Sequence, residues 1–178
     1  LVWAQEVPHP FTQAGAVTFA ALLHLLRREP ALAQAQAEQG IILCQQYGIR
    51  SFWGNCLIFK GWALAQQGRV EAGIAHMQEG LAALLAVDTH LGLPDRRSLL
   101  AEAYGQAGQP AQGLPLLDQA LAQVEATGER ASEAELHRLK GELLWMQGAD
   151  AQEVEAHLLQ ALAIAPQIAG MGADIETG

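Results

Sequence analysis

The chain has 178 residues, enough for one compact domain or a short array of smaller units. Its 51% hydrophobic content is mostly Ala and Leu with 6% aromatics, which favours helices over sheet. A formal charge of −9 argues against nucleic acid as a direct partner and equally against an anionic membrane surface.

Leu1 to Glu6 read as the last turns of a helix that Pro8 and Pro10 stop, so residues 1–10 are expected to be a helix end and a linker. Thr12 is placed to cap a helix running to about Arg28, with Val17, Ala20, Ala21, Leu22, Leu25 and Leu26 at helical spacing. Pro30 suits the first position of the next helix, which Gly48 ends. These two helices form a hairpin without glycines at its turn or crossing. The second hairpin pairs Ser51 to Gln67 with Val70 to Val87 across Gly68, and a loop from Asp88 to Gly92 follows. Pro94 opens the third, Gly108 and Pro110 make its turn, and Pro115 lies six residues into its second helix, where a small bend is expected. Ser132 with Glu135 has the spacing of a capping box for the fourth hairpin, and Asp150 with Glu153 repeats it for a last helix expected to stop near Pro166. The hairpins are thus predicted at about 11–48, 51–88, 92–127 and 130–165, with 166–178 as a disordered tail.

The hairpins repeat one pattern. Gly61, Leu64, Gly68, Gly73, Met77, Gly80 and Leu81 recur as Ala101, Tyr104, Gly108, Gly113, Leu117, Ala120 and Leu121. They recur again as Gly141, Leu144, Gly148, Val154, Leu158, Ala161 and Leu162, with one extra residue after Gly148. The turn glycines are 40 residues apart (108 − 68 and 148 − 108). Small residues permit close helix approach, so Gly61 and Gly73, Ala101 and Gly113, and Gly141 and Val154 are expected to meet. Leu64, Met77, Tyr104, Leu117, Leu144 and Leu158 would fill the layers between hairpins. No hairpin buries its apolar face alone, so stacking supplies the core and an uncovered end favours a dimer or an aggregation-prone edge.

These offsets resemble the tetratricopeptide (TPR) signature in a roughly 40-residue variant over residues 11–165. The resemblance implies an all-α, right-handed superhelical solenoid of about four antiparallel hairpins. The strings KGWALAQQGR at Lys60, LLAEAYGQAGQ at Leu99 and GERASEAELHRLKGELL at Gly128 are further similar to the C-terminal TPR regions of large bacterial signalling proteins. In those, a nucleotide cyclase, kinase or LuxR-type module is joined to a regulatory ATPase and then to such repeats. The chain also starts at Leu1 without methionine, which suggests a piece of something longer.

By the same resemblance, the concave face is lined by Asn55, Ile58, Trp62, Ala65 and Gln66, then Asp95, Ser98, Glu102, Gly105 and Gln106, then Glu135, Arg138, Glu142, Trp145 and Met146. Its tryptophans and carboxylates would suit a basic or amphipathic peptide. Packing between hairpins competes as the role of Trp62 and Trp145, and a solvated surface as that of the acids. The Lys and Asn positions that clamp a carboxylate in chaperone-binding TPRs are not met, since Asn55, Trp62, Glu102 and Glu142 stand there.

Catalytic or cofactor chemistry is not indicated. There is no GxxxxGK[ST], CxxC pair or HExxH spacing, and Glu133 with His137 supplies two metal ligands where three or four are needed. Cys44 and Cys56 read as small buried side chains of a reducing compartment, which points to the cytoplasm. The sequence therefore predicts a non-enzymatic module without cofactor that docks a protein, a peptide or another domain of the same polypeptide. A small-molecule sensor and a self-association module, as a homodimer through the end hairpins, are the alternatives.

Overall fold

The computed structural model describes residues 9–88 and 92–173, the last eight by their backbone alone. The helices are α1 (Pro10–Leu26), α2 (Pro30–Tyr47), α3 (Arg50–Gln66), α4 (Val70–Ala86), α5 (Leu93–Gln106), α6 (Pro110–Thr127), α7 (Glu133–Gln147) and α8 (Ala151–Ala173). One 3-10 turn, Arg130–Ser132, precedes α7, and no strand occurs among the described residues. The chain divides into two compact units, Leu1–Leu93 and Pro94–Gly178.

In the first unit α3 is the central helix. It is apolar on nearly every side, and Leu57, Ile58, Phe59, Trp62, Ala63 and Leu64 are all buried. Glycines let α4 lie directly against it. A Cβ on Gly61 would stand 2.5 Å from the Gly73 carbonyl oxygen, and one on Gly54 would stand 2.7 Å from that of Gly80. On the other side α2 presents Gly40 to the Cys56 thiol, and α1 presents Gly15 to the Phe52 ring. Both cysteines are buried and free. Cys56 Sγ lies 3.2 Å from the Thr18 hydroxyl.

The second unit repeats the scheme with larger side chains. Ala101, Leu117, Ala120, Val124, Leu136, Leu139 and Leu143 form its core. The expected close points are present, with a Gly113 Cβ 3.1 Å from the Ala101 carbonyl and a Gly141 Cβ 3.4 Å from that of Val154. Of the layer residues, Leu64, Met77, Tyr104, Leu117 and Leu144 are buried, whereas Leu158 is 37% exposed.

The turns share one backbone solution. Gly68, Gly108 and Gly148 within hairpins, and Gly48 and Gly128 between them, have φ between 66° and 82°. Arg28 and Asp88 occupy the equivalent positions at 56° and 55°, so the first hairpin, whose turn has no glycine, uses the same left-handed conformation at a steric cost.

Several helix ends differ from expectation. α1 starts at Pro10 with His9 as its N-cap, because proline fits the first turn, so Thr12 lies inside the helix. Ser132 caps nothing with its side chain, and Glu135 turns instead to Arg138. Asp150 does cap α8, accepting from the Gln152 N–H at 2.8 Å. Pro115 is accommodated within α6. The last helix continues through Pro166 to Ala173, because a missing N–H removes one backbone bond without ending the helix. Residues 166–173 are therefore helical where a disordered tail is expected, while 1–8, 89–91 and 174–178 lie outside the described residues.

Candidate interaction surface

The sequence-predicted face falls partly in each unit. In the first, Trp62 is 1% exposed, and Ile58 and Ala65 are buried beside it. Trp62 is thus a core residue rather than an anchor, because α3 is enclosed by neighbours on all sides. The Arg28 guanidinium lies 6.0 Å from its ring centroid. Asn55 and Gln66 are half-buried.

In the second unit the face is open. Trp145 is 73% exposed and Met146 46%. A Cβ on Gly105 would lie 3.9 Å from Met146 Sδ, so α5 and α7 bring their predicted positions side by side. On α5, Asp95 and Glu102 are half-buried, Gln106 is exposed and Ser98 is buried. Ser98 donates to its own helix at the Asp95 carbonyl, 2.8 Å away.

Along α7, Arg138 joins two carboxylates. Its Nε and Nη2 donate to both oxygens of Glu135 at 2.7 and 2.6 Å, and its Nη1 donates to Glu142. Spacings of three and four residues put all three on one helix face. The Glu135 bond raises the Arg138 pKa, and the charge there is fixed. The ladder therefore presents a rigid acidic rim next to Trp145.

Two other features escaped the sequence reading. His137 and His157 stack across α7 and α8 with Nδ1 atoms 2.9 Å apart. At that separation one ring donates while the other accepts, so one imidazole must carry its proton on Nδ1 and the other on Nε2. Burial lowers both pKa values, and for His137 the facing His157 adds to this. Glu133, four residues before His137, is held by Arg130 at 2.6 and 3.1 Å, which lowers its pKa. No cluster of three metal-ligating groups occurs among the described residues. Arg130, Glu133 and His137 border a cavity of about 550 Å³ that Leu121, Glu125 and Gln160 also line. The turn after α6 that places Arg130 opposite Glu133 gives no periodic signal in sequence.

The 40-residue register, glycine-mediated hairpin contacts and left-handed turns define a TPR-like helical-repeat fold. Solved structures share it. The chain matches BtubC (BKLC) of P. vanneervenii with a TM-score of 0.75 at 18% identity, covering 94% of this chain and 69% of that one. It matches a kinesin light chain-like protein of Podosopora anserina, built of nearly identical TPR-like repeats, with a TM-score of 0.62 at 18% identity, covering 89% and 77%. In sequence, it is 31% identical over 121 residues to an uncharacterized protein of Rhizobium meliloti (strain 1021). That match takes in 68% of this chain and 12% of the relative's length. No family model matches the chain. Among the described residues no helix is long and apolar enough to cross a membrane.

Proposed function

We propose that the chain is a protein-interaction module of a larger bacterial signalling protein, acting in the cytoplasm without catalysis of its own and docking a basic or amphipathic segment on the α5/α7 face. The observation that carries this reading is Trp145, 73% exposed beside Met146 and the Glu135–Arg138–Glu142 ladder. Large aromatics are usually well buried, and an exposed one with an apolar neighbour and a charged rim has the character of a binding anchor. The TPR-like fold and the greater length of the Rhizobium meliloti relative support placement within a longer polypeptide. The test is a fluorescence titration with a panel of lysine- and arginine-rich amphipathic helical peptides. At least one should bind with salt-sensitive affinity and lose about tenfold or more on Trp145→Ala, while Leu85→Ala, an exposed residue of α4, leaves it unchanged. Binding by no peptide, or equal binding by the Trp145 variant, would sink the reading.

The cavity beside Arg130, Glu133 and His137 favours a second reading, a small-molecule sensor, since about 550 Å³ falls in the ordinary ligand range. A metabolite that raises the melting temperature of the chain but not of Arg130→Ala would support it.

A further inference from the structure

α6, α7 and α8 converge beside the turn that Gly128 and the 3-10 segment make, and the cavity of about 550 Å³ opens there. Its walls carry one surplus charge. Arg130 and Glu133 face each other as a bidentate pair, Nε on one carboxylate oxygen and Nη2 on the other, so their charges cancel. Lys140, whose charge also reaches His137, is held by Asp118 at 2.7 Å. Glu125, on the α6 wall, makes neither a hydrogen bond nor an ion pair among the described residues. Burial pulls the pKa values of His137 and His157 down, so both rings are neutral at neutral pH and neither offsets that carboxylate.

His137 offers a spare nitrogen to the same space. The residue is 7% exposed, and its Nδ1 is committed to His157 Nδ1 at 2.9 Å. Its Nε2 has no partner among the described residues, although His137 lines the cavity. A nitrogen this deep without a hydrogen bond costs stability unless something in the cavity meets it. The role of Nε2 is tied to the tautomer. When His137 carries its proton on Nδ1 and donates to His157, Nε2 is an acceptor, and when His157 donates, Nε2 carries the proton. An acceptor beside an unpaired carboxylate suits a donor that brings positive charge. Leu121 and Val124 give the same cavity an apolar wall.

We propose that the cavity binds a protonated amine on a small apolar body, the ammonium N–H groups donating to His137 Nε2 and to the Glu125 carboxylate, and the body resting on Leu121 and Val124. The assignment rests on the sensor reading of this cavity. An anion fits worse, because Arg130 has only Nη1 left to offer it while Glu125 and Glu133 both repel it. Binding also sets the histidine pair. A donor at His137 Nε2 holds that ring in its Nδ1–H form, which obliges His157 to accept at Nδ1 and to carry its own proton on Nε2. Occupancy is thereby passed from α7 to α8 as a tautomer choice, without net proton uptake.

The test uses straight-chain primary amines from ethylamine to hexylamine, with the matching alcohols and carboxylates, on the 178-residue chain. The amines should raise the melting temperature in order of length, and more than alcohols of equal length. Glu125 is exposed, so Glu125→Lys should keep its helical circular dichroism while binding hexylamine about tenfold more weakly. Nitrogen NMR of the hexylamine-bound chain should show His137 as the Nδ1–H tautomer and His157 as the Nε2–H tautomer. Alcohols that bind as well as amines, equal hexylamine affinity in Glu125→Lys, or a bound state with the His137 proton on Nε2 would each overturn the amine assignment. A carboxylate that binds instead, and is lost in Arg130→Ala, would overturn it and leave the sensor reading standing. Binding by no member of the series would also overturn it, the sensor reading then resting on its own metabolite test.

Discussion

Alanine at Gly61 tests whether the α3/α4 approach governs the first unit. In an unconstrained helix the change should stabilise by about 1 kcal/mol, because glycine is a poor helix former. Here the added Cβ would lie 2.5 Å from the Gly73 carbonyl oxygen and 2.6 Å from Met77 Cγ, against the 3.4 Å at which ordinary contact begins. The carbonyl belongs to the α4 backbone and cannot rotate away, so the helices must part by roughly 0.9 Å (3.4 − 2.5). Such overpacking costs about 1–3 kcal/mol and loosens Met77 and Leu84 with it. Set against the gain of about 1 kcal/mol in helix propensity, the net expectation is a loss of up to about 2 kcal/mol. Gly141 occupies the same register position, but its added Cβ would first meet the Leu158 side chain at 2.9 Å, and Leu158 is 37% exposed and free to turn. Gly141→Ala should therefore be neutral or stabilising by up to about 1 kcal/mol. Thermal unfolding followed by circular dichroism reads the contrast, at about 4–8 °C per kcal/mol for units of this size. Equal shifts, or a stabilised Gly61→Ala, would refute the close approach.

Replacing Pro115 by alanine should raise the midpoint, because proline beyond the first turn of α6 forfeits a backbone bond and strains the preceding turn, worth up to about 3 kcal/mol; a lower midpoint would show that Pro115 shapes a needed contact. The His137–His157 pair gives a pH dependence. Both folded pKa values are lowered, so the unfolded chain binds protons more readily, and stability present above about pH 6.5 should be lost as the pH falls through the folded values. Melting temperatures taken above about pH 5, clear of the lowered carboxyls of Glu29, Glu38 and Glu133, should fall with acid in the unsubstituted chain and fall less in His137→Gln. A parallel decline in both would mean that the pair carries none of the effect.

The hairpin contacts were legible in sequence because they depend on residue size at fixed spacing. Gly61 facing Gly73 and Ala101 facing Gly113 follow from sterics that admit few alternatives. The two tryptophans were not separable, since both sit in first helices at positions assigned to one face. What parts them is the company they keep. Around Trp62 the helix is apolar on every side, whereas Trp145 follows charged residues and stands where the other repeats have Ala65 and Gly105. Arg28 in a left-handed turn was hidden because its neighbours impose a conformation its own side chain disfavours. Ser132 was misread as a cap because a 3-10 turn delivers the chain to α7 at a different angle, leaving Glu135 for Arg138.

The ion pairs show why a repeat fold reveals its architecture more readily than its use. Lys60 with Glu38 and Lys140 with Asp118 lie 80 residues apart, while Gln78 and Leu100 hold the intermediate positions. An exposed pair of this kind contributes little stability, so its placement marks register more than it holds the helices together. Buried positions must satisfy the repeat, and their identities are therefore predictable from one another. Trp145, Phe19 and Leu162 are exposed, and the Arg138 ladder is partly so. Their side chains answer to whatever lies opposite, so their meaning emerges only when exposure is measured against the covered equivalents in the same chain.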